Sequence, residues 1–157
     1  MKAKKTVLSP KAYDAYRLMA DSEYKSRAEN LANISEYGFA ALCFWNQVEV
    51  HLKLVRYGDR VVDGWPDRLD FVGLKWKIIK EVEALAPEDY SRVLANHPQS
   101  LRKKRDLIAH QSCKITKEEY FGFRSSSLQI LRCLADKVIP KEKVLDKKKK
   151  INSRGAR

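Results

Sequence analysis

Three cysteines in 157 residues, Cys43, Cys113 and Cys133, are too few and too scattered for a disulfide framework. Their odd number, the absence of a Cys-x-x-Cys spacing and the absence of a secretory leader predict reduced thiols and a cytoplasmic setting. His51, His97 and His110 are also far apart, so no local metal-ligand pattern exists and neither a metal nor another cofactor is expected. No apolar run approaches the roughly 20 residues needed to span a bilayer, which argues against a membrane partner. Acidic residues are scarce as well. Against 32 Lys and Arg there are 20 Asp and Glu, a formal net charge of +12. That imbalance points to an anionic partner, with nucleic acid ahead of a membrane surface.

What is abundant is helical periodicity. Apolar residues make up 44% of the chain, enough for one packed core, and the length suits a single domain. The expected organisation is a basic leader over residues 1–9, one helical domain over 10–139, and a basic, disordered tail over 140–157. Ser9-Pro10 reads as an N-cap followed by the first helical position. From there Tyr13, Tyr16, Ala20, Tyr24, Ala28, Leu31 and Ile34 recur at three- or four-residue steps, predicting one helix to about Tyr37 that Gly38 interrupts. A tyrosine stripe at this spacing reads first as core and second as a base-stacking platform.

The second helix, about Phe39 to Tyr57, is the most apolar, with Ala41, Phe44, Trp45, Val48, Leu52 and Val55 as its inward stripe. His51 is read as a flank residue. Glu49 stands beside the stripe, either salt-bridged or orienting a catalytic group. A turn-rich segment from Gly58 to Arg68 precedes a helix ending at Pro87 and a short one ending near Ala95. Asn96-His97-Pro98 then opens the next helix, and Thr116-Lys-Glu-Glu119 is a capping-box signature for a last helix running to about Val138. The expected fold is therefore all-α, a compact bundle of five or six helices. Ser125, Ser126 and Ser127 in the last helix would permit close helix approach or merely lower helix propensity.

The chemistry-bearing run is Leu101 to His110. Arg102, Lys103, Lys104 and Arg105 form a cationic cluster, Leu101, Leu107 and Ile108 are expected to face the core, and Arg102, Lys103 and Lys104 the solvent. These cations suit phosphate oxygens or a solvated face. In an ideal helix Arg105 and His110 lie roughly 140° apart, so His110 must sit at the helix end to share a groove with Arg105. Gln111, Ser112 and Cys113 break the apolar pattern there. A histidine at a helix C-terminus exchanges protons readily, and an arginine fork matches a phosphate. The two suffice to cleave a phosphodiester whose own hydroxyl is the nucleophile, as in RNA. Asp106 can orient either of them or remain a surface residue. Lys147, Lys148, Lys149 and Lys150 in the tail would strengthen RNA binding without selecting sequence.

Arg105-Asp106-Leu107-Ile108-Ala109-His110 resembles the Arg-x4–6-His motif of the HEPN superfamily, in which a polar residue often follows the arginine and a small one often precedes the histidine. The resemblance spans roughly residues 10 to 138, although its sharp part is six residues. It implies an all-α, metal-independent endoribonuclease, commonly a homodimer whose two Arg/His pairs line one cleft, and often a toxin or phage-defence effector held by an antitoxin or other regulatory protein. In this chain it implies Arg105 and His110 as catalytic residues. Members that have lost catalysis bind RNA, nucleotides or proteins, which is the alternative expectation.

Overall fold

The computed structural model describes residues 5–20, 23–58 and 77–140. Among these are seven helices and a two-stranded ribbon: β1 (Thr6–Leu8), α1 (Pro10–Ala20), α2 (Tyr24–Asn33), α3 (Tyr37–Tyr57), α4 (Lys77–Leu85), α5 (Pro87–Val93), α6 (Leu101–Ala109), α7 (Lys117–Ala135) and β2 (Val138–Pro140). The all-α expectation holds, with more and shorter helices than anticipated. The turn-rich connection, the first part of the helix before Pro87 and the lysines of the tail lie outside the described residues.

α3 is the central rod. Its Ala40, Ala41, Phe44, Trp45, Val48 and Leu52 are buried and meet α7 along one side, α2 along another and α6 near the front half. From α7, Tyr120, Phe123, Ile130 and Leu134 complete this core. Ser126 and Ser127 are fully buried on the same helix. Ser126 Oγ accepts a hydrogen bond from Arg92 of α5 at 2.9 Å, so one of the serines is a docking point as well as a small side chain. The capping box forms as the sequence predicts: Thr116 Oγ1 accepts from the Glu119 N–H, and Glu119 accepts from the Thr116 N–H.

The single helix expected from Pro10 to Tyr37 is two. At that length it would extend about 42 Å, against about 32 Å for α3, and its apolar stripe serves two separate clusters. Tyr24 and Ala28 of α2 enter the main core. Ala12 and Tyr16 of α1 pack instead with Leu8 and Leu54. Ile34, assigned to the inward stripe, is 69% exposed, because it sits in the turn where α2 has already ended. Gly38 does not interrupt anything. It lies in the first turn of α3, where its missing Cβ lets α6 approach: a methyl there would stand 2.9 Å from Ile108 Cγ2.

The leader and the end of the last helix also differ from expectation. α7 stops at Ala135, and Val138–Pro140 instead pairs in parallel with Thr6–Leu8 in the register Thr6↔Val138, Val7↔Ile139, Leu8↔Pro140. Both triplets carry β-branched residues suited to extended backbone. Thr6 Oγ1 also donates to Val55 O at 2.7 Å, and Lys137 pairs with Glu81 of α4. Leu8 is fully buried, so residues 6–8 belong to the folded unit.

Candidate functional site

α6 begins at Leu101. Pro98 precedes it, and the N-cap is Ser100, whose buried hydroxyl accepts from the Lys103 N–H at 3.3 Å and donates to Ala95 O at 2.8 Å. From that anchor the helix has an inward stripe of Leu101, Lys104, Arg105 and Ile108. Positions spaced by three, four and seven share a face, and Leu101 and Ile108 are buried. Lys104 is therefore not on the solvent side as expected. Its side chain is 13% accessible and meets Glu119 Oε1 at 2.7 Å, tying α6 to the start of α7. Leu107, placed in the core by the sequence reading, is 49% exposed. The exchange follows from register: residue 107 is two positions beyond Arg105 and points away from α3.

Arg105 occupies that stripe against Trp45. Its guanidinium carbon lies 5.0 Å from the buried indole ring, an arrangement of cation over aromatic face that restrains the fork. Asp106 Oδ1 stands 3.5 Å from Arg105 Nε, with the arginine side chain 30% and the aspartate 79% accessible. Asp106 thus touches the arginine, from solvent. Arg102, one turn earlier, donates to Leu94 O at 3.3 Å. Burial, and then the positive charge of Arg105, push the Arg102 guanidinium down from its ordinary value, opposed by Tyr90. The arginine remains charged at physiological pH. Two guanidiniums thus stand within electrostatic reach of each other on one helix, which raises the local potential for an anion. Lys103 is exposed beside them.

His110 is the C-cap of α6, as its sequence context predicts. The chain then closes in a Schellman motif: the Gln111 N–H bonds to Ile108 O at 2.9 Å, the Ser112 N–H bonds to Leu107 O at 2.7 Å, and Gln111 takes φ +55°. The backbone under His110 is held while its side chain is exposed. Among the described residues the imidazole has no hydrogen-bond or ion-pair partner, and Arg105 faces inward on α6. No hydrogen bond joins the two side chains among the described residues. A hollow of about 400 Å³ opens from Gln111, bounded by Ser35, Gly38, Phe39, Lys114 and Ile115. Ser35 repeats the geometry of Gln111, with φ +63° at the Schellman end of α2.

Glu49 pairs with Lys53 one turn on at 3.6 Å and does not bond to Arg105 or His110; the salt-bridge reading describes it. Trp45, which sequence reasoning left in the core, is the residue that positions Arg105. Its signal was there in the seven-residue spacing of Leu101 and Ile108, which brackets Arg105 on the inward side. Among the described residues no three His, Cys, Asp or Glu side chains come together as a metal-binding group, and no helix is long and apolar enough to cross a membrane. No family model, curated protein or solved structure matches this chain.

Proposed function

We propose that this protein is a metal-independent endoribonuclease of HEPN type, acting as a homodimer. The observation that carries the reading is the motif helix itself. It presents a restrained guanidinium, Arg105, on Trp45 and, five residues on, an exposed histidine at a helix end closed by backbone bonds. In this reaction His110 takes the proton from a ribose 2′-hydroxyl as the 2′-oxygen attacks the adjacent phosphorus. The bond from phosphorus to the 5′-oxygen breaks, and that oxygen receives a proton from an imidazolium. Arg105 stabilises the charge that develops on the equatorial oxygens, with Arg102 and Lys103 holding neighbouring phosphates. The products are a 2′,3′-cyclic phosphate and a 5′-hydroxyl. By the HEPN resemblance two Arg/His pairs line one cleft, so a second copy supplies its other wall. A role as a toxin or defence effector, restrained by an antitoxin, follows from the HEPN resemblance alone.

The second reading is a catalytically silent module that binds RNA, a nucleotide or a protein. The exposed His110 imidazole, which no side chain among the described residues orients, favours it. The test is cleavage of a mixed RNA pool in EDTA by wild type, Arg105→Ala and His110→Ala. General acid–base catalysis typically contributes about 10²–10⁴-fold and an anion-stabilising donor about 10²–10³-fold, so either variant should lose at least a hundredfold. Cleavage of 2′-O-methyl RNA at the wild-type rate would refute the mechanism. Salt-sensitive binding without products would establish the silent module instead.

A further inference from the structure

A second site lies on α3, apart from the Arg105 stripe. His51, read from sequence as a flank residue, is 5% exposed. Its Nδ1 is 2.7 Å from Gln47 O. A carbonyl can only accept, so Nδ1 carries the hydrogen and Nε2 presents a lone pair. Tyr16 packs against the ring edge-on, with centroids 5.2 Å apart. Among the described residues Nε2 has no hydrogen-bond partner. Burial holds the imidazole below its ordinary value, opposed only by the Gln47 carbonyl, which keeps it neutral.

The ring borders a cleft of about 230 Å³, open to solvent on one side, where α1, α2, α3 and α7 meet. Tyr16 and Tyr24 form aromatic walls, Leu128 and Leu131 an aliphatic one, and Lys25 and Arg132, both exposed, stand at its mouth. At about 30 Å³ per water this is the room of seven or eight waters, which suits a single ring. Each part of the lining restricts the ligand. A neutral acceptor at depth excludes a bare anion there and selects an N–H or O–H donor. Apolar and aromatic walls favour a flat, largely apolar body. Two cations at the mouth repel a positive ligand and attract a negative group.

We infer that this cleft binds a small one-ring organic anion, with its hydrogen-bond donor on His51 Nε2 and its anionic group between Lys25 and Arg132. A hydroxylated aromatic carboxylate has that chemistry. Binding here is independent of RNA cleavage and is measured without RNA.

The experiment titrates the full chain with 4-hydroxybenzoate, benzoate and phenol while following the His51 ring nitrogens by NMR. 4-Hydroxybenzoate should bind saturably and shift the Nε2 resonance. Benzoate, lacking the donor, should bind about three- to tenfold more weakly, the worth of one neutral hydrogen bond. His51→Phe should abolish the preference for the hydroxylated acid. Lys25→Ala/Arg132→Ala, altering only exposed side chains, should weaken both acids and leave phenol unaffected, and it keeps the test decisive if His51→Phe does not fold. No saturable shift at millimolar 4-hydroxybenzoate, or equal affinity in the Lys25/Arg132 variant, would overturn the assignment.

Discussion

Gly38→Ala tests whether the position of the motif helix depends on backbone approach. The added methyl would stand 2.9 Å from Ile108 Cγ2 and 3.8 Å from Ile115 Cγ1. Ile108 is buried, 3% exposed, so its methyl cannot swing into solvent. Overpacking of this kind typically destabilises by about 1–3 kcal/mol. Against it stands the helix preference of alanine over glycine, at most about 1 kcal/mol and less in a first turn. The expected net loss is about 1–2 kcal/mol, a fall in Tm of a few degrees for a chain of this size. Denaturant unfolding measures it. Ile108→Leu removes the β-branch methyl, for less than about 1.5 kcal/mol on its own, so in that background Gly38→Ala should cost nothing or stabilise. The relief appears as a coupling energy between the two positions. Ile108 is two residues before His110, so on the proposed reading the single variant should also lower RNA cleavage, and the double variant should restore part of it. A Gly38→Ala protein as stable as wild type, with no coupling to position 108, would refute the close-packing argument.

Ser35 and Gln111 hold left-handed backbone at the two Schellman ends, so Ser35→Gly and Gln111→Gly should each stabilise by about 0.5–1 kcal/mol in urea unfolding, where alanine would not. Because burial lowers the His51 value, the folded state binds fewer protons than the unfolded one. Stability is then full above the ordinary histidine range and lost as pH falls through it; His51→Phe should flatten that slope in unfolding measured from pH 7.5 to 5. Glu119 is held below the usual carboxylate range, first by Lys104 and then by the Thr116 N–H. Its contribution is present above that range and lost as pH falls through its lowered value; Glu119→Gln should remove about 1 kcal/mol or less at pH 7, and less difference should remain at pH 3.

The fold was legible where one segment has one duty. The stripe of α3 from Ala41 to Leu52 and the capping box at Thr116 read directly from spacing, because local preference and tertiary packing agree there. The stop after His110 read equally well. Reading failed where the partner was remote in sequence. The division between α1 and α2 depends on Leu8 and Leu54, which give the first half of the tyrosine stripe a core of its own. The pairing of Thr6–Leu8 with Val138–Pro140 joins the two ends of the described chain, and three-residue strands carry too little pattern to announce themselves. In the site, the cationic run hid its own inward face. Lys104 looked like a surface lysine because its partner, Glu119, is 15 positions away in another helix.

That inward face changes how the cationic cluster should be counted. Four neighbouring cations suggest four phosphate contacts, yet they have different local duties. Lys104 is committed to Glu119 with its side chain 13% accessible; withdrawing it to reach a phosphate would cost the carboxylate the hydrogen bond that stabilises its charge most. Its task is to fix α6 against α7. Arg105 is restrained on Trp45, so less side-chain entropy is lost when an anion meets it than for a freely rotating lysine. Arg102 lies within its field, and a phosphate near both would relieve like-charge repulsion as well as gain two attractions. Lys103 alone has the exposure of an ordinary surface cation. On the proposed reading, Lys104 therefore contributes to RNA affinity through the placement of α6 and not through counterion release. Arg102, Lys103 and Arg105 carry this helix's share of the salt dependence.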